Sequence, residues 1–340
     1  MRRLLLCCGL SLLCYAGIFG FIADRPLSLG LLRVEILQKT ARMAMLPSPK
    51  LVILAGSNAP YSHSCAVIGA MLNMPCENAG IAVGIGLDDL FARYAALLHA
   101  GDVVYMPMEM QQYVLTRGQN DAAADDEILL RHDKTVLARL PADRIIGAIF
   151  CCSFADLIEG IAELPMARTT RFAAPSVLST QYDIEGDRID NALADADPAV
   201  LHLQTRVPPS PQMIEAGYGT ALLRHFVAQE SRIGVTVIGG LPTDFSTVAL
   251  PAENLAAVST IYTSAGGKML VMADHSEYPA ADFYNSEDHL VRPCQTMHSV
   301  LVARALGMML HRPVAAPGPQ ITAFAATCPS VLSSPAALRD

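Results

Sequence analysis

Leu51-Val52-Ile53-Leu54-Ala55-Gly56-Ser57-Asn58-Ala59-Pro60 is the stretch on which the fold of this chain turns. Its first half is an unbroken apolar run of strand length, and Ser57 to Pro60 supply polar and turn-forming residues. A strand without polar alternation is buried on both faces, as in parallel sheets covered by helices. Similar short runs follow at Asp102–Met106, Val200–Leu203, Gly234–Ile238 and Lys268–Ala273. Helical patterns separate them, at Ser62–Met74, Leu87–Leu98, Gln212–Gln229, Asn254–Ser264 and Thr296–Leu310. This alternation predicts an α/β fold of three α/β/α layers around a mostly parallel sheet, with ligands outside the C-terminal strand ends.

Outward from this core, Arg2 and Arg3 precede an apolar run from Leu4 to Ile22, closed by Asp24-Arg25-Pro26. A run of ~20 apolar residues can cross a bilayer as a helix, and the flanking arginines favour a cytoplasmic N-terminus. Residues 1–23 therefore read as a signal anchor or a signal peptide, although bulky Phe21 two before Ala23 makes a poor cleavage site. The expected organisation continues with a stalk or linker over 24–50, helical at Leu27–Arg42, and a main domain over 51–315. Within that domain, about 117–199 reads as a helical insertion (Ile128–Leu140, Arg144–Leu164), and 316–340 as a C-terminal tail.

Composition narrows the functional classes. The 340 residues are 52% hydrophobic and 16% charged, which favours a buried core over disorder. A net charge of -8 without a basic run argues against nucleic acid as a partner. The absence of Trp argues against a carbohydrate-binding module that grips sugars by stacking. Cys7, Cys8 and Cys14 lie in the apolar N-terminal run. Cys65, Cys76, Cys151, Cys152, Cys294 and Cys328 match no zinc spacing, and their pairing is open. Cys151 and Cys152 sit in an apolar stretch and read as buried thiols.

Ser57 stands where a parallel sheet places its site, at the end of the first strand and the start of a helix. There it could act as a nucleophile, aided by backbone N–H groups and the helix dipole, or simply cap the helix. Asn78-Ala79-Gly80 ends the next short strand, and Met106-Pro107-Met108-Glu109 the third. Phe283-Tyr284-Asn285-Ser286-Glu287-Asp288-His289-Leu290 precedes the last helix. His63 and Ser64 read as helix-surface residues. Asp274, His275, Asp282, Glu287, Asp288, His289 and His298 lack metal-ligand spacing, and Gly80, Gly84 and Gly86 do not make a phosphate loop. No metal or cofactor is expected.

In the order of its blocks the chain resembles the SGNH (GDSL-type) hydrolase superfamily, over roughly Leu51 to Leu310. Gly56-Ser57-Asn58 is similar in position to the family's nucleophile block and Asn78-Ala79-Gly80 to its glycine block. More narrowly, Gly101-Asp102-Val103-Val104, Pro107-x-Glu109 and the Asp288-His289-Leu290 segment resemble SGNH-like proteins of bacterial cellulose and exopolysaccharide assembly. The resemblance implies a flavodoxin-like sheet and an O-acyl esterase or acyltransferase at the periplasmic face of the inner membrane. Its substrate would be an O-acylated saccharide, and its partner a polysaccharide synthase complex. Ser57 would be the nucleophile, His289 the general base, Asp288 or Asn285 its support, and Gly80, Asn78 and Glu109 the oxyanion or substrate contacts. Two departures stand out. Glu109 replaces an Asn donor, and Ser286 stands where Asp-x-x-His spacing needs an acid, so the alternative is an inactive accessory subunit of the same assembly.

Overall fold

The computed structural model describes residues 1–22, 25–121, 141–147, 153–203, 207–247 and 249–333. It is an α/β protein whose central sheet has five parallel strands: β1 (Leu51–Ile53), β2 (Cys76–Asn78), β3 (Val103–Met106), β4 (Thr236–Gly239) and β6 (Lys268–Met269). Their order is β2-β1-β3-β4-β6, and a separate parallel pair joins β5 (Asp244–Phe245) to β7 (Glu277–Tyr278). Leu51, Val52 and Ile53 are all fully buried, so both faces of β1 are covered, as the apolar run requires. β1 pairs with β2 on one side and β3 on the other, which puts the reversal of strand order at its C-terminal end. In open α/β sheets that crevice is where ligands bind.

Several expected elements take other forms. The helix expected over Ser62–Met74 is the shorter α4 (Cys65–Leu72), preceded by a separate α3 (Asn58–Ser62), with extended His63 and Ser64 between them. His63 and Ser64, expected at a helix surface, are buried. Val200–Leu203, expected as a strand, lies largely in a 3-10 turn over Pro198–His202. Pro198 presets the turn, and the Asp197 side chain caps it by accepting the N–H of Ala199. Ile128–Leu140, Cys151 and Cys152 lie outside the described residues. The remaining four cysteines pair as Cys65–Cys76 and Cys294–Cys328, the latter tying the C-terminal segment to the helix over Arg292–Leu310.

The expected stalk is not a free linker. After α1 (Arg2–Ile22), the helix α2 (Leu27–Met45) buries Ile36 and Met43 in the main core. Its Arg42 donates to the carbonyl of Cys76 at 2.7 Å and pairs with Glu77, so α2 is clamped to β2. Lys39 donates from the same helix to the carbonyl of Gly80. α1 itself is long and apolar enough to cross a membrane, and little of it is buried.

Candidate active site

Ser57 occupies the N-cap position of α3, yet its hydroxyl makes no capping hydrogen bond. Its Oγ lies 2.9 Å from Nε2 of His289, while Nδ1 of the same ring lies 2.7 Å from Oδ1 of Asn285. An amide oxygen only accepts, so this arrangement assigns the proton to Nδ1 and leaves the Nε2 lone pair facing Ser57. The capping role considered for Ser57 is therefore not the one its side chain takes. The expected help from a helix dipole is small, because α3 has only five residues.

The closing segment reaches Ser57 as a tight hairpin. Phe283 and Leu290 bridge antiparallel, and the N–H of Tyr284 donates to the carbonyl of His289 at 2.7 Å. That turn brings residue 285 against 289. Ser62 and Thr243 hydroxyls, at 2.8 and 3.0 Å, hold the Asp288 carbonyl and pin the hairpin beside α3. The Asp288 carboxylate accepts from Ser286 and lies 3.8 Å from Nε2 of His289. It therefore sits on the Ser57 side of the imidazole; Asn285, not Asp288, is the partner of Nδ1.

Tyr61 and Arg188 complete the surroundings, and neither was picked out as a site residue in the sequence. The His289 ring stacks on Tyr61 with centroids 3.9 Å apart and planes 7° from parallel. The Arg188 guanidinium lies 4.9 Å from the centre of the same tyrosine ring and donates to Asp190 at 3.0 Å and to the Tyr182 hydroxyl at 2.9 Å. The sequence signal was an aromatic residue four positions after Ser57, within reach of the same cleft. Burial holds the His289 pKa below the usual histidine value; nearby Asp288 opposes that shift and Arg188 adds to it. The imidazole is thus a neutral base at neutral pH.

On the opposite side, Glu109 is buried and its carboxylate accepts the N–H groups of Gly56 and Asn58, both at 3.1 Å. A Cβ on Gly56 would come within 2.5 Å of that carboxylate, so glycine is needed before Ser57. Glu109 thus holds the turn carrying the serine. Burial and the nearby Asp288 push its pKa up to about 7, with the two N–H groups opposing. Gly80 lies against Gly56 and α3, where a Cβ would collide with Ala59 and Pro60. Asn78 is fully buried, and its Nδ2 donates to the carbonyls of Ala59 and His63 and to Asp187 at 3.0 to 3.1 Å. That amide ties β2 to α3 and does not face the cleft with its N–H groups.

A cleft of about 450 Å³ opens beside Glu109 and Asp288, walled by Met110, Val114, Met213 and Leu241 and edged by Asp244, Glu277 and Glu287. The loose His/carboxylate set is dispersed. Asp274 and His298 both bond the Tyr278 hydroxyl, and Asp282 accepts the N–H of Ser330. Asp282, Cys294 and Cys328 approach one another, but the two sulfurs form a disulfide and are not thiolate ligands. No family model and no curated protein matches this chain.

Proposed function

We propose that this chain is a membrane-anchored serine esterase or acyltransferase of the SGNH type, acting on an O-acylated saccharide on the periplasmic side of the inner membrane. The observation that carries the reading is the Ser57 Oγ–His289 Nε2–Asn285 Oδ1 relay at the C-terminal edge of the sheet. Strand order supports the flavodoxin-like, three-layer form of that family, because the central strands run 2-1-3-4-5 when numbered within their own sheet. The apolar α1 supports the anchor.

In the reaction, His289 takes the Ser57 proton as the hydroxyl oxygen attacks the ester carbonyl. The developing oxyanion falls to the backbone N–H groups of Ser57 and Gly80. The imidazolium then returns its proton to the departing sugar oxygen, leaving an acyl-serine. Water completes hydrolysis, and a second hydroxyl completes transfer. The acyl group fits the apolar wall of the adjacent cleft.

Two observations favour a second reading, an accessory subunit of an exopolysaccharide synthase that binds without turnover. Glu109 is an acceptor where the family carries a donor, and Asn285 stands in place of the triad acid. A fluorophosphonate probe applied to the full chain separates the two. Covalent labelling that disappears in Ser57→Ala, along with turnover of p-nitrophenyl acetate, is expected of the enzyme. A folded wild-type chain that takes no label fits the accessory subunit and removes the enzymatic reading.

A further inference from the structure

The helix α6 (Phe154–Ala167) is packed against the C-terminal half of α1. Leu157 and Leu164 join Phe19 and Ile22 in a small core of their own, with Tyr15 and Ile18 against it. Gly160 sits where a Cβ would come within 3.1 Å of Ile22 and 3.2 Å of Pro26, a close helix approach that suits a small residue. The flank of α6 beside this contact is apolar as well. Phe154 is 70% exposed, Ile158 53% and Ile161 46%, at a spacing that gathers all three on one stripe. The acidic residues Asp156, Glu159 and Glu163 fall on the opposite flank.

We infer that α6 is a second membrane-contacting element, running alongside the outer half of α1 with Phe154, Ile158 and Ile161 among the acyl chains. Three observations select lipid as the occupant. The stripe continues the exposed apolar surface of α1, and Leu12 of α1 and Phe154 of α6 wall one shared groove. The acids are segregated onto the other flank, where Glu163 accepts from Ser28 of α2, which leaves the stripe uncharged. Arg25 and Arg168 hold their guanidinium groups over the Phe21 ring, 4.9 and 6.0 Å from its centre, where α1 ends. An aromatic ring flanked by arginines is a headgroup-level feature, where cations meet lipid phosphate. The consequence is a domain held at fixed height above the bilayer by two contacts, with α2 carrying that placement to β2 through Arg42.

The inference rests on the membrane reading of α1, and the test separates the two. The chain contains no Trp, so each introduced Trp reports one position. The full chain, as L10W, F154W, I158W or E159W, is reconstituted into phosphatidylcholine–phosphatidylglycerol vesicles with or without mid-chain brominated lipid. Loss of emission from L10W, F154W and I158W, with E159W retained, is the expected result. Quenching of L10W alone overturns the role of α6 and leaves the anchor standing. No quenching at any position overturns both. F154W and I158W that resist brominated lipid and also aqueous acrylamide mean that protein covers the stripe, which equally overturns the inference.

Discussion

At Asn285 the site departs from a triad by one functional group. Its Oδ1 keeps the imidazole in the tautomer a general base needs, but an amide cannot balance the charge of the imidazolium. N285D replaces the amide with an isosteric carboxylate at the same 2.7 Å contact. The exchange should raise kcat/KM on a small acyl ester by about tenfold or more, within the roughly 10⁴-fold that the reverse exchange costs a serine protease. The new charge stabilises the protonated ring, so the acid limb of the pH–rate profile moves to higher pH. A variant that is folded yet no faster would show that His289 does not limit the rate. Ser57 and His289 were legible in the sequence because each stands at the end of a recognisable element. Tyr61 and Arg188 were not, because a stacking partner is chosen by how the Tyr182–Arg188 segment folds back over α3. No local pattern encodes that return.

At the scale of elements, α2 was read as a stalk from its modest helical pattern between two prolines and the anchor. A helix that packs on one side and a helix in solvent can share that pattern. The difference is which residues find partners: Met43 is fully buried in the main core. M43A should therefore destabilise the domain by about 2–5 kcal/mol, the range for deleting a buried side chain, against less than about 0.5 kcal/mol for a surface position. The midpoint of urea unfolding checks it, and an unchanged midpoint would restore the stalk. The 3-10 turn at Pro198–His202 shows the complementary error, since three of its apolar-looking neighbours are exposed and only Val200 is buried.

Over the whole molecule, buried titratable groups set how stability varies with pH. Burial pushes the pKa of Glu77 up to about 8, of Glu109 and Asp183 to about 7, and of Asp244 to about 6. Each such carboxyl contributes stability that is complete below its unfolded pKa and lost as pH rises through the folded one. His63 and His298 act in the other direction. Burial lowers both, so their contribution is complete above the usual histidine value of 6.5 and is lost as pH falls below it. Their rings meet at 3.2 Å with Nε2 facing Nε2, an arrangement that requires at least one to be unprotonated there. Above the usual histidine value only the carboxyl loss remains, so the melting temperature should fall between about pH 6.5 and 8 as the buried carboxyls ionise. E77Q should flatten that alkaline fall. A melting temperature that keeps rising through pH 8 would contradict these directions.

The sequence by itself determined the parallel α/β sheet, the apolar N-terminal helix and the position of Ser57 at a strand end. These follow from local regularities: unbroken apolar runs, helical periodicity and turn residues. Tertiary structure alone decided which group supports His289, what Glu109 does and where α2 belongs. The last two, and the meeting of Ser57 with His289, depend on contacts between residues tens to hundreds of positions apart, while Asn285 reaches His289 through the turn of the closing hairpin. Chain topology sets such contacts, and spacing along the chain does not record them. Ser57 could be placed by its strand, but its hydroxyl's partner was fixed only when the closing hairpin folded onto α3.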